Sequence, residues 1–158
     1  MGRTSLIAAV MVAFGIGAPA AKAESMMDMT AASAERRINR FVGTWSSGRG
    51  SDLSARAVSR YYADPAVYYG KRFANGALLR EKLRYASAWP ERRYRMAPGS
   101  VRLECDPGRR VACHVSGVLR YDRRTSAGRR EVGAARLRLI VTRASGDRIM
   151  RESAVFLR

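Results

Sequence analysis

The sequence predicts an α+β domain in which three N-terminal helices pack on a curved antiparallel sheet. Two observations predict it. Up to about Pro90 the apolar residues recur at the three- and four-residue spacing of helices, and beyond it they alternate at the two-residue spacing of strands. Turn signals then separate the alternating runs as in a meander, and a sheet apolar on one face needs helices to cover it.

The elements follow in order. Arg3, the apolar run Leu6 to Ile16, the break at Pro19 and the small residues around Ala21-Lys22-Ala23 read as a signal peptide over residues 1–23, cleaved after Ala23. The run falls short of the roughly 20 residues a membrane span needs, and no later stretch approaches that length, so the mature chain is expected to carry no transmembrane segment. Export to the periplasm or medium follows. Residues 24–30, with three methionines and no apolar period, read as a flexible leader. A first helix spans Ala31 to about Ser46, with Ile38, Phe41, Val42 and Trp45 on one face. Gly48-Arg49-Gly50 ends it, and Ser51 or Asp52 caps a second helix carrying Leu53, Ala57, Val58 and Tyr61. Asp64-Pro65 stops that helix, because the residue before proline avoids the helical conformation, and Ala66 to Tyr69 run extended. Gly70 to Gly76 reads as a loop, and Asn75 as the cap of a third helix with Leu79, Leu83 and Ala86 on one side. The strands then show Val101, Leu103 and Cys105 on one face. Val111, Cys113, Val115, Leu119 and Tyr121 share the next, followed by Leu137, Leu139 and Val141. Ile149 to Leu157 completes the meander after the turn at Ser145-Gly146-Asp147.

Cys105 and Cys113 are the only cysteines, and in an exported chain they are expected to form a disulfide. The Pro107-Gly108 turn between them would bring two antiparallel strands face to face. Cys113 and His114 are neighbours on one strand and point to opposite sides, which excludes a thiol–imidazole catalytic pair. His114 is the single histidine, so no metal site is expected, and nothing in the sequence asks for a cofactor.

The 30 basic residues fall to 28 once Arg3 and Lys22 leave with the signal, against 13 acids, for a mature charge of +15. Such a field favours polyanions: nucleic acid, acidic polysaccharide, lipopolysaccharide or anionic lipid head groups. All but three of the basic residues are arginine, a bias that a GC-rich genome also produces. The candidate polyanion contacts are Arg92, Arg93 and Arg95, then Arg109 and Arg110, Arg123 and Arg124, and Arg129 and Arg130. Arg136 and Arg138 project opposite Leu137 and Leu139.

The run Ala63-Asp64-Pro65-Ala66-Val67-Tyr68-Tyr69-Gly70, then Asn75-Gly76 and Leu78-Leu79-Arg80, resembles the middle of nuclear transport factor 2-like (SnoaL-like) proteins. Tyr68-Tyr69-Gly70-Lys71, Trp89-Pro90-Glu91-Arg92 and the two cysteines resemble exported bacterial members of that superfamily. The resemblance covers about residues 31–158. It implies a cone: helices on a strongly bent sheet, an apolar pocket inside, and often a homodimer through the outer sheet face. In the isomerase branch a carboxylate just after the first strand abstracts a proton. Here that position falls at about Tyr69, whose ordinary pKa near 10 makes it a poor base at neutral pH.

Several of the aromatics Phe41, Trp45, Tyr61, Tyr62, Tyr68, Tyr69, Tyr94 and Tyr121 are expected to converge inside such a cone, with Phe41, Trp45, Tyr62, Tyr69 and Tyr121 as the pocket candidates and core packing as the alternative role. Glu152 interrupts an apolar last strand on the face of Met150, Ala154 and Phe156, and with Tyr69 it is the residue to test for catalysis. Asp64 is expected to accept backbone hydrogen bonds in a turn. The functional expectation is an exported, non-catalytic domain that binds a small apolar ligand or a protein partner. The alternatives are a pocket enzyme of the isomerase or cyclase type and a basic surface protein for polyanions.

Overall fold

The computed structural model describes residues 29–106 and 112–158. The expected signal peptide, most of the leader, and the turn carrying Arg109 and Arg110 lie outside the described residues. Thr30 opens α1 (Ala31–Thr44): its hydroxyl accepts the Ser33 N–H at 3.2 Å. Ala34, Ile38, Phe41 and Val42 form the buried stripe of this helix, and Asn39 Oδ1 accepts the Met96 N–H at 2.9 Å, tying α1 to the sheet. Met29 packs on the core rather than trailing free.

The helix α2 (Ala55–Tyr61) is capped by Ser54, whose hydroxyl accepts the Ala57 N–H at 3.1 Å, and not by Ser51 or Asp52, which belong to the preceding turn and bond through their amides to the carbonyls of Gly48 and Thr44. The chain then enters β1 (Tyr62–Tyr68) without a loop. The strand runs through Asp64-Pro65, where the pairing with its neighbour shifts register between Tyr62 and Val67 and no proline N–H is needed. Tyr69 and Gly70, at φ 47° and 81°, form a two-residue turn into β2 (Lys71–Phe73), so the expected loop from Gly70 contains a short strand.

In α3 (Asn75–Ala88) Asn75 is the first helical residue rather than the cap, and the Asp64 carboxylate accepts its N–H at 3.2 Å. The buried stripe is Leu78, Lys82 and Ala86; Leu83, expected to face inward, is 40% exposed. Residues four apart share a helix face, so Leu78 and Ala86 carry Lys82 inward with them.

The sheet is completed by β3 (Glu91–Met96), β4 (Arg102–Cys105), β5 (Ala112–Arg124), β6 (Arg130–Thr142) and β7 (Arg148–Leu157). The strand order is β2-β1-β7-β6-β5-β3, with β4 beside the first half of β5. The sheet is mixed rather than wholly antiparallel, since β1 and β7 pair parallel. Such a pair needs a long crossover, and everything from β2 to β6 supplies it. On β6 and β7, Ile140 pairs with Arg151 but Val141 pairs with Ile149, so Met150 is the extra residue of a bulge. Met150 therefore turns outward and does not share the face of Glu152.

Strand alternation divides the arginines. Arg93 and Arg95 on β3, Arg120 and Arg124 on β5, Arg130, Arg136 and Arg138 on β6, and Arg151 on β7 share the outer face and are exposed. Leu137, Leu139, Val141, Val115 and Cys113 occupy the inner face, against α1 and α3. Among the described residues no helix is long and apolar enough to cross a membrane.

Cys105 and Cys113 stand opposite one another on β4 and β5, their Cα atoms 4.0 Å apart, and form the disulfide. Replacing both by alanine is expected to lower stability by roughly 2–3 kcal/mol, the chain-entropy value for so short a loop. Urea unfolding of the oxidised protein and the variant, compared at equal slope, measures it.

Candidate functional site

The inner face of the sheet, α1 and α3 enclose a cavity of about 440 Å³. Alternation supplies its walls: Leu119, Tyr121 and Arg123 from β5, Ala135 and Leu137 from β6, and Glu152, Ala154 and Phe156 from β7. Phe41 and Trp45 come from α1, Lys82 and Tyr85 from α3, Tyr68 and Tyr69 from the end of β1, and Arg92 and Tyr94 from β3. Phe41 meets Trp45 and Tyr62 edge to face, with ring centroids 6.1 and 5.9 Å apart. Gly133 makes room for the wall at Tyr121: a β-carbon there would lie 2.5 Å from the Tyr121 hydroxyl.

Besides Arg92, which is spent on backbone carbonyls, Glu152 and Lys82 are buried in this apolar setting. Glu152 is 7% exposed, and the Tyr62 hydroxyl donates a hydrogen bond to its Oε2. Burial, and then the neighbouring Glu152 carboxylate, push the Tyr62 phenol far above its ordinary range. Lys82 is also 7% exposed. Its Nζ lies 4.2 Å from the ring centroid of Trp45, 4.6 Å from that of Tyr68 and 4.9 Å from that of Tyr62. Among the described residues it has no carboxylate within the 4.0 Å of an ion pair. Burial lowers the pKa of this amine, and Glu152 opposes the shift.

The mouth is built from Tyr69, half exposed at the hairpin tip, Phe156, Lys71, Glu81 and Arg123. The Tyr69 N–H donates to the Glu152 carbonyl at 3.0 Å, which seats the hairpin on β7. Arg123 faces inward, between Trp89, at 4.3 Å from the ring centroid, and Tyr121, at 5.1 Å. It donates to Glu131 Oε2 through Nε at 3.0 Å and Nη2 at 2.5 Å, and through Nη1 to the Tyr85 hydroxyl. The Tyr94 hydroxyl donates in turn to that of Tyr85 at 3.2 Å.

Of the aromatic and acidic residues named from the sequence, Phe41, Trp45, Tyr69, Tyr121 and Glu152 line the cavity, and Tyr62 stands behind Glu152. The basic group divides. Arg93, Arg95, Arg124 and Arg130 lie on the outer face, and Arg129 stacks over Trp89 at 5.1 Å. Arg92 does not belong to a polyanion surface: it is 5% exposed and donates to the carbonyls of Trp45 at 2.9 Å and Trp89 at 3.0 Å. Arg123 is likewise consumed inside. His114 is exposed, 3.7 Å from Asp106, and no group of three metal-binding side chains occurs among the described residues. Lys82 and Tyr85 line the cavity without having been expected there from the sequence. The spacing of Lys82 four residues after Leu78 and four before Ala86 was the available signal for the first.

No family model and no curated protein matches the chain. Solved structures do. A Xanthomonas campestris protein described as a candidate calcium/calmodulin dependent protein kinase II association domain is 14% identical with a TM-score of 0.60, over 86% of this chain and 94% of its own. A Caulobacter vibrioides protein with a cystatin-like fold is 12% identical at a TM-score of 0.59, over 81% of this chain and 88% of its own. A Catenulispora acidiphila protein in complex with S-DNPA is 16% identical at a TM-score of 0.54, over 78% of this chain and 91% of its own. The chain has the nuclear transport factor 2-like fold. Within this nuclear transport factor 2-like cone the carboxylate comes from the last strand, at Glu152, and the end of the first strand offers only the phenols of Tyr68 and Tyr69.

Burial before all else also raises the phenols of Tyr68 and Tyr94 far above their ordinary range. A group whose pKa is higher folded than unfolded stabilises the fold below its unfolded pKa, and that stability is lost as pH rises. The phenols of Tyr62, Tyr68 and Tyr94 thus favour the folded state up to about pH 10 and drive unfolding above it. Lys82, with its pKa lowered, acts in the opposite sense, adding stability as pH climbs toward about 10.5. Three phenols against one amine predict alkaline unfolding. Absorbance at 295 nm should show at least three of the seven tyrosines still protonated at about pH 11 in native protein, and all ionised in urea. Tyr94→Phe, which removes one raised phenol and leaves Glu152 its donor, should shift the unfolding midpoint to higher pH.

Proposed function

We propose that the chain is an exported binding domain that takes a small, ring-bearing ligand into the cone. The observation that carries this is a cavity of about 440 Å³ with aromatic walls and a few convergent polar groups. That combination is typical of small-molecule sites, whose volumes run about 300–1,000 Å³. Phe41, Trp45, Tyr68, Tyr121 and Phe156 offer ring faces and edges, while Glu152 from β7 and Lys82 from α3 offer an acceptor and a donor. The raised phenols of Tyr68 and Tyr69 stay protonated at neutral pH. They serve as hydrogen-bond donors and not as bases, which supports binding over an isomerase-type proton abstraction. The Catenulispora acidiphila protein of this fold in complex with S-DNPA supports occupancy by a small molecule.

The test uses 2-naphthylmethanol as a probe. In a Trp89→Phe variant Trp45 is the single tryptophan, and its fluorescence reports the cavity directly. Saturable quenching with one site is expected, and Ala154→Phe, which narrows the cavity between Glu152 and Phe156, should weaken it by roughly tenfold or more. Quenching that stays linear with probe concentration, or is indifferent to Ala154→Phe, would sink the reading.

A second reading, contact with a polyanion, is supported by the outer sheet face. Arg120, Arg136, Arg138 and Arg151 stand there exposed, without an ion pair among the described residues, and Asp122 is already held by Arg130 at 2.7 Å. Apposing two such faces brings like charges together, so we favour a polyanion over a second copy of the chain as the occupant. The protein should be retained on heparin well above physiological salt. The triple variant Arg120→Ser, Arg136→Ser, Arg138→Ser should elute markedly earlier. Equal elution of the two proteins would remove this face from consideration.

A further inference from the structure

Lys82 is the polar member of an otherwise apolar helical stripe, between Leu78 and Ala86, and it lines the cavity with its amine against three rings. A residue needed only for packing at this position would be apolar, as its two stripe partners are. Among the described residues the amine has neither a hydrogen-bond donor nor an acceptor as partner and no carboxylate at ion-pair distance, so its lone pair is not committed elsewhere once the proton leaves. Glu152, the one carboxylate buried with it, is engaged by the Tyr62 hydroxyl.

We propose that Lys82 is a reactive amine that captures aromatic aldehydes or ketones entering the cone as an imine. The inference rests on the cavity being a ligand site. The neutral Nζ attacks the carbonyl carbon, and the C=O π pair moves to oxygen. Oxygen gains the proton that nitrogen loses, giving a carbinolamine. Protonation of its hydroxyl then releases water as the nitrogen lone pair closes the C=N bond. One amine and one carbonyl thus give one imine and one water, with no oxidant or reductant. Glu152 is the group in the cavity suited to carry the transferred proton. The protonated imine is a cation where the ammonium stood, facing the same rings of Trp45, Tyr62 and Tyr68 and the same carboxylate. An apolar pocket that disfavours the ammonium is the setting in which lysine becomes a nucleophile near neutral pH.

The test treats the full mature chain with 2-naphthaldehyde and sodium cyanoborohydride, which reduces the imine to a stable naphthylmethyl amine, and locates the adduct by peptide mass mapping. Lys71, exposed at the cavity mouth, is the internal reference. At pH 7 trapping at Lys82 is expected to outpace that at Lys71 by roughly tenfold or more. Its pH profile should rise at lower pH than that of Lys71. The groups facing the amine are Glu152 on β7 and Tyr62 and Tyr68 on β1, with Arg92 and Tyr94 of β3 lining the same cavity. Lys82→Met should lose the adduct, with circular dichroism confirming its fold, and in the unaltered protein excess 2-naphthylmethanol, which has the ring but no carbonyl, should slow trapping at Lys82 and leave Lys71 untouched. Trapping at Lys71 or the N-terminus as fast as at Lys82, with the alcohol still bound, overturns the amine proposal and leaves the pocket standing. Failure of both aldehyde and alcohol to bind overturns both.

Discussion

The hydrogen bond from the Tyr62 hydroxyl to the Glu152 carboxylate is the contact on which the rest of the cone depends. It joins the first residue of β1 to the middle of β7, the two strands that pair parallel and close the sheet over the helices. A carboxylate taken out of water without partners costs several kcal/mol, so this acid can face inward only because a buried donor meets it. The bulge at Met150 is the other half of the arrangement. Strict alternation from Ile149, an inner residue, would send Glu152 outward; one extra residue reverses the phase and delivers it to the cavity.

Lys82 completes a local balance of charge that does not take the form of an ion pair. The amine stays beyond bonding distance of any carboxylate among the described residues and rests on the negative faces of three rings, while Glu152 contributes its attraction through the cavity. An ion pair in direct contact would fill the floor of the cone and commit both groups. Held apart, each keeps a face toward the open volume. In the aromatic cluster of Phe41, Trp45, Tyr61 and Tyr62, Phe41 and Trp45 both pack in the core and line the cavity, so packing and a place on the cavity wall are not alternatives for them.

The fold was legible in the sequence because its signals are periodic. The helical stripe of α1, the alternation along β5 and β6 and the opposed cysteines depend on local spacing, which one chain displays in full. What was not legible depends on distant partners. The parallel pairing of β1 with β7 joins segments more than 80 residues apart, and no local pattern encodes it. Ser54 rather than Ser51 caps α2 because the turn closed from Ser51 to Gly48 delays the helix start until the Ser54 hydroxyl meets the Ala57 N–H. On β3 the inner positions are Arg92, Tyr94 and Met96, so alternation there is hidden by an arginine that finds its acceptors in the backbone of another element. Lys82 was obscured by the habit of counting only apolar residues when a helical face is drawn. A long side chain at the centre of a buried stripe is brought inside by its neighbours.

The arginine pairs carry the sharpest lesson about charge read along a chain. Arg92-Arg93 and Arg123-Arg124 look in sequence like concentrated patches, yet each sits on a strand, where successive side chains leave on opposite faces. One member of each pair turns in and is spent on carbonyls, a carboxylate or rings, and the other turns out into solvent. The outer field is then assembled from single arginines on four neighbouring strands, including Arg120, Arg136, Arg138 and Arg151, which no run of basic residues marks. Because the inner and outer sets share no residue, occupancy of the cone and contact with a polyanion need not compete. The sheet lets a strongly basic exterior enclose a largely apolar interior in which the inward arginines are already partnered and Lys82 and Glu152 answer to each other.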